Sequence, residues 1–233
     1  VLKYLIISKN EKIFKIAHDG DGVLFPSHIP VLNEANKRLS DYLNLEINFS
    51  PKDLNRYDAL YYLTLGLTNN HELAEEINSL WFTPNVLARS PFNEAMVEVF
   101  KRCQKLSHTS QCIITTRPPE CRRSTQDQLE QQFPDVNWQR NLHIRSEKNK
   151  QIHGEDYKIG QLKLRRINII NEDHSLTVSR ILKEVPLCRI NYFNQPSNAD
   201  DLDLKHAQLR VDPSDTETIY NRTLEARENF LSK

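Results

Sequence analysis

An apolar run that ends abruptly on Asp19-Gly20-Asp21-Gly22 restricts this chain more than any other feature. The run itself, Ile13-Phe14-Lys15-Ile16-Ala17-His18, has the β-branched and aromatic content of a strand. The chain holds only five glycines, and two of them stand in this four-residue cluster. Glycine used so sparingly marks a backbone that must turn sharply or admit a close neighbour. Alone, the cluster suits an ordinary surface turn as well as it suits chemistry. The remainder of the chain decides between them.

Strands and helices alternate after it. From Pro26 to Pro91 the pattern is mostly helical, with Leu32, Ala35, Leu39 and Leu43 at helical spacing, then Leu73, Ile77 and Leu80. Ser90-Pro91 predicts a helix over 92–106, with Ser90 as its cap. Cys112-Ile113-Ile114 predicts a buried strand that runs into Thr115-Thr116-Arg117-Pro118. Helices are expected at 121–132, 157–165 and 175–184, and strands near 142–145, 167–170 and 187–193. A capping box, Ser214 to Glu217, predicts the start of a C-terminal helix. Leu2–Ser8 reads as one further strand, paired with or beside the run at Ile13–Asp19.

The alternation predicts an α/β fold: a Rossmann-like, doubly wound parallel sheet. Such sheets gather the carboxyl ends of their strands on one edge, where ligands bind. The polar clusters at 19–21, 115–117 and 172–173 would meet there. The stretch 26–91 is too long for a simple crossover and reads as an inserted helical cap. The core domain is then residues 1–25 and 92–233.

That edge would hold two carboxylate pairs and a hydroxyl pair, with Lys158 ahead of the last strand. This set suits phosphoryl transfer, which needs a metal or cation for the phosphate oxygens and a positioned nucleophile. Carboxylates from different strands suit magnesium. An Asp can attack phosphorus, and a second Asp two residues on can move the proton.

Asp19-Gly20-Asp21-Gly22-Val23-Leu24 resembles the first motif of the haloacid dehalogenase-like (HAD) phosphatase superfamily. Ile113 to Pro118 is similar to the second motif, Lys158 stands where the third places its lysine, and Asn171-Glu172-Asp173 resembles the fourth in paired-acid form. The wording is most like the C-type (deoxy)5'-nucleotidase branch. The resemblance spans roughly residues 13–195. It implies Asp19 as nucleophile, Asp21 as general acid and base, Thr115 on a phosphoryl oxygen and Lys158 as counter-charge. It implies a magnesium site from Asp19, the Asp21 carbonyl, Glu172 and Asp173, with Thr116 and Arg117 near the substrate. Lys150 and Lys163 are alternative third-motif lysines. Glu172 departs from the commoner Asp, and no aromatic residue for base stacking is evident after Leu24 beyond Phe25.

The implied activity is a magnesium-dependent phosphomonoester hydrolase working through an aspartyl-phosphate, with a 5'-nucleotide as one substrate class. Sugar phosphates and nucleic-acid ends are the alternatives, as is a non-catalytic binding module that keeps the fold. The formal net charge is zero, 31 basic against 31 acidic side chains, which argues against a chain-wide polyanion or membrane-surface binder. Yet residues 101–166 carry 14 basic against 7 acidic side chains, which keeps a nucleic-acid partner in view. No apolar run approaches the ~20 residues of a membrane span, and a cytoplasmic location is expected. The four cysteines lack CxxC spacing and the eight histidines lack an HxxxH pair, so reduced thiols and no zinc site are expected. His18 and His174 read as local hydrogen-bonding or packing residues, and Trp81-Phe82 as cap core or a roof over the substrate.

Overall fold

The computed structural model describes residues 12–54, 58–195, 198 and 203–233. Six strands form one sheet in the order β3-β2-β1-β4-β5-β6, and every neighbouring pair is parallel. The strands are β1 Phe14–Asp19, β2 Thr109–Thr115, β3 Leu142–Ile144, β4 Ile169–Glu172, β5 Arg189–Phe193 and β6 Arg210–Val211. This is the α/β, Rossmann-like, doubly wound architecture that the alternation predicts. The chain builds outward from β1 to β3, then returns to the other side of β1 with β4. The order therefore reverses between β1 and β4, and the crevice outside their carboxyl ends is where such sheets bind ligands.

Among the described residues five α-helices lie between β1 and β2, the first four being α1 His28–Leu43, α2 Ala59–Thr68, α3 His71–Asn78 and α4 Pro84–Leu87. α5 Glu94–Gln104 then leads into β2, and α6 Arg122–Gln132 and α7 Trp138–Asn141 precede β3. The remaining helices are α8 Gly154–Arg165, α9 Ser175–Glu184, α10 Leu204–Ala207 and α11 Thr216–Leu231. α9 falls on the predicted residues, and α8 begins three residues before the predicted start at Tyr157.

Two predicted caps are corrected. α5 starts at Glu94, because Asn93 accepts hydrogen bonds from the backbone N–H groups of Ala95 and Met96. Ser90 instead donates its hydroxyl to Ser27 Oγ. At α11 the cap is Asp215, whose carboxylate accepts from Thr218 N, while Ser214 closes a turn on Asp212. In both cases an acceptor closer to the helix displaces the expected serine. The strand expected at Leu2–Ser8 lies outside the described residues.

Residues on the two faces of β1 alternate as a strand requires. Phe14 and Ile16 join an apolar cluster with α5 and α11, and Ala17 joins another with α8 and α9. The first cluster continues without a break into the inserted helices through Leu32, Leu39, Leu60, Ile77 and Leu80. Trp81 packs against it, whereas Phe82 is exposed. All four cysteines are buried and free. Among the described residues no helix is long and apolar enough to cross a membrane.

Candidate active site

Both glycines of the opening cluster have a steric reason. A Cβ on Gly20 would stand 2.9 Å from the Cβ and Oγ1 of Thr115, so glycine lets the ends of β1 and β2 converge. Gly22 has φ +80, and a Cβ there would lie 1.8 Å from Asp173 Oδ2. Only glycine satisfies both the left-handed backbone and the neighbouring carboxylate. The turn is closed by Leu24 N and Phe25 N donating to the Gly20 carbonyl.

Asp19 ends β1 and is 5% exposed. Lys158, on α8, reaches under the strand ends and donates to Asp19 Oδ2 and Glu172 Oε2, both at 2.8 Å. Lys158 is itself 3% exposed, whereas Lys150 and Lys163 form outer ion pairs with Glu147 and Glu184. Burial disfavours its ammonium, but the two carboxylates outweigh that and raise its pKa. Glu172 commits its other oxygen to the backbone N–H groups of Asp173 and His174. Burial opposes the charge on Glu172, yet Lys158 keeps its pKa below the ordinary carboxylate value.

Asp173 makes no ion pair among the described residues, and Lys158 only partly offsets its charge. Burial, then the charge of Glu172, pushes its pKa up to about 8. Asp19 is also raised, by burial first, against the pull of Lys158. Oxygens of Asp19, Glu172 and Asp173 lie within 4.8 Å of one another. Three buried carboxylates around one lysine leave negative charge uncompensated, and an all-oxygen donor set of this kind fits a hard divalent cation.

Asp21 behaves differently. Its carboxylate accepts from Arg117 Nε at 2.9 and 3.0 Å and from Arg117 Nη2 at 2.7 Å. Ser27 Oγ donates to it as well, and Thr115 Oγ1 approaches at 3.4 Å. Burial would raise its pKa, but Arg117 and Ser27 hold it below the usual carboxylate range. Arg117, expected near the substrate, is 2% exposed and donates to Asp21, Ser27 and Thr125. Its Nη1 donates to Thr125 Oγ1, and its guanidinium carbon lies 4.5 Å from the centre of the Phe25 ring. Thr116 is half-buried and lies against Gly154 at the start of α8.

One arrangement escapes the motif reading. Asn191 Nδ2 donates to Asn171 Oδ1 at 2.8 Å, Asn171 Nδ2 to His18 Nδ1 at 2.7 Å, His18 Nε2 to Gln111 Oε1 at 3.0 Å, and Gln111 Nε2 to the Phe100 carbonyl at 2.9 Å. All four side chains are buried. These donor directions require a neutral imidazole with its proton on Nε2. This polar chain crosses β5, β4, β1 and β2 one residue before Asp19 and Glu172. The signal was present in the sequence: a polar residue precedes the acid at both strand ends. His174, beyond β4, bonds Thr177 Oγ1 locally.

Compared by sequence, the chain matches no family model and no curated protein. Its fold does have likenesses among solved structures. A protein of Clostridium acetobutylicum described as a predicted phosphatase superposes with TM-score 0.61 at 14% identity, over 91% of this chain and 99% of that one. A haloacid dehalogenase-like family hydrolase of Streptococcus pneumoniae gives 0.58 at 13%, over 90% and 99%. A protein of Haemophilus somnus described as a predicted phosphoglycolate phosphatase gives 0.56 at 12%, over 89% and 98%. The shared property is the HAD-type fold. The nucleotidase branch suggested by the motif wording has no counterpart among these neighbours.

Proposed function

We infer that this chain is a phosphomonoester hydrolase that works through an aspartyl-phosphate on Asp19. The observation that carries the reading is the cluster at the sheet's reversal point. There a buried Asp19 carboxylate is held by Lys158 beside Glu172 and Asp173. The names of the fold neighbours support the same reaction class.

In this reading Asp19 attacks phosphorus, and the bond from phosphorus to the leaving oxygen breaks. Lys158 keeps Asp19 oriented and offsets the charge that accumulates between nucleophile and phosphate. Thr115 Oγ1 donates to a phosphoryl oxygen. Asp21, held ionised by Arg117, is set to take a proton from the water that hydrolyses the aspartyl-phosphate. For Asp21 to protonate the leaving oxygen first, the arriving phosphate dianion must raise its pKa against Arg117. Asp19, Asp173 and the Asp21 carbonyl would hold a magnesium ion, which supplies charge neutralisation at the phosphoryl oxygens. Glu172, whose oxygens accept from Lys158 and from two backbone N–H groups, would complete that site directly or through water.

The substrate is a small phosphorylated compound. The nucleotide assignment rests on motif wording alone, and sugar phosphates stand beside it. Replacement Asp19→Asn is expected to lower turnover of an aryl phosphate with magnesium by about a thousandfold or more. Retained turnover would show that Asp19 is not the nucleophile. Absence of magnesium binding in a calorimetric titration would favour the non-catalytic module instead.

A further inference from the structure

A cleft of about 270 Å³ opens at the opposite end of the strands from the carboxylates, between β1, β2, β3 and the end of α8. Lys15 and Asp19 are four residues apart on β1, so the two regions are separated by roughly 13 Å of strand. Every charged residue lining the cleft is basic: Lys15, Arg140 and Arg165, joined by His143. In a chain of zero net charge, a cleft with three cations and no acid among the described residues is an uneven allocation. Two of the three cations come from the basic segment 101–166, which the proposed catalytic site does not explain.

The donors there are largely unspent. Lys15 Nζ donates to the Arg165 carbonyl at 2.9 Å and so closes the end of α8. Arg165 uses Nε on Gln161 Oε1, and its two Nη groups make no bond among the described residues. Arg140 is exposed, and its guanidinium has no partner among the described residues. His143 is only 7% exposed and lines the cleft, yet its ring has no hydrogen-bond partner among the described residues. Burial, with Arg165 and Arg122 nearby, lowers its pKa to about 4. The imidazole N–H is not spent on any described residue, and an oxyanion in the cleft would accept from it while neutralising the arginines. The volume equals about nine waters, enough for a phosphoryl group with part of its carrier.

We propose that this cleft, built by Arg140, Arg165 and His143, is a second anion site that binds a phosphate group away from the catalytic edge. The site is independent of the reaction proposed for Asp19. Free phosphate compounds and a nucleic-acid backbone present the same group, and the test separates them.

The full chain with labelled histidine is titrated with inorganic phosphate while the His143 ring resonances are followed by NMR. The expected result is a saturable shift that persists in Asp19→Asn. In Arg140→Ala combined with Arg165→Gln, the midpoint should rise about tenfold or more, as for a lost charge-assisted hydrogen bond. That variant should keep the wild-type melting curve and aryl-phosphate turnover. A parallel titration uses an oligonucleotide without terminal phosphates. Tighter response to it assigns the group to a nucleic-acid backbone, and weaker response assigns it to free phosphate compounds. If His143 responds to neither, or responds identically in the double variant, the proposal is overturned, whatever Asp19→Asn does to turnover.

Discussion

Asp21 and Arg117 are 96 positions apart in the chain, and their pairing decides what each can do. The side chain of Arg117 is 1% exposed and that of Asp21 32%, so the arginine depends on the acid more than the reverse. Removing one partner of a buried pair costs more than the pair contributes, because the survivor stays charged and desolvated. Asp21→Asn, which leaves the buried Arg117 without its counter-charge, is expected to destabilise by about 3 kcal/mol in urea unfolding. Adding Arg117→Met should cost less than the sum of the two changes; strict additivity would mean the contact carries no energy. The sequence displayed Asp19, Thr115, Lys158, Glu172 and Asp173 because their order along alternating strands is a one-dimensional pattern. It could not display where Arg117 points. That direction is set by the turn at Gly20 and Gly22, which brings Asp21 back over β2.

Among the elements, helix starts were the least legible. Serine before proline is a fair cap signal, but Asn93 sits one position before the first helical residue and bonds two backbone N–H groups. Asn93→Ala should therefore cost about 1 kcal/mol, and Ser90→Ala should leave the α5 amide protection in hydrogen exchange unchanged. Of the four-strand polar chain the sequence showed only a polar residue before two strand-end acids, since pairing register is a property of the folded sheet. It has a clear physical role. Strands buried on both faces read as near-continuous apolar runs, so a slip by one residue exchanges one apolar side chain for another. Asn171 opposite His18 and Asn191 opposite Asn171 supply the missing specification. The chain also predicts acid sensitivity. Burial lowers the His18 pKa from 6.5 to about 4. A histidine depressed in the folded state contributes stability above its unfolded pKa, and that contribution fades as pH falls from 6.5 towards 4. The loss is about 3 kcal/mol at most. His18→Leu should flatten this part of the stability curve, whatever its effect at neutral pH; an unchanged slope would remove His18 from the account.

For the whole molecule, the parallel α/β class was visible in the alternation of elements, while the strand order and β6, only two residues long, were not. A magnesium ion at the proposed site would tie stability to cation binding. Asp173, raised to about 8, must lose its proton to accept a metal. Without metal, the stability from its raised pKa is lost as pH rises through about 8. Magnesium at about a hundred times its dissociation constant should raise the melting temperature by about 5–10 °C. The apparent affinity should strengthen as pH climbs towards 8. Melts that ignore magnesium at every pH would remove the metal from this site.

The unbroken apolar cluster from the sheet into the helical insert has a further consequence. Leu32, Leu39, Leu60, Ile77 and Leu80 are each at most 4% exposed, and withdrawing such a side chain costs about 1.5–3 kcal/mol. Swinging the insert away as a hinged lid would break that cluster where it passes from the insert to the sheet. Hydrogen exchange should find α1 and β1 opening together as one cooperative unit. For the proposed hydrolase, substrate choice would then rest on a fixed entrance rather than on closure.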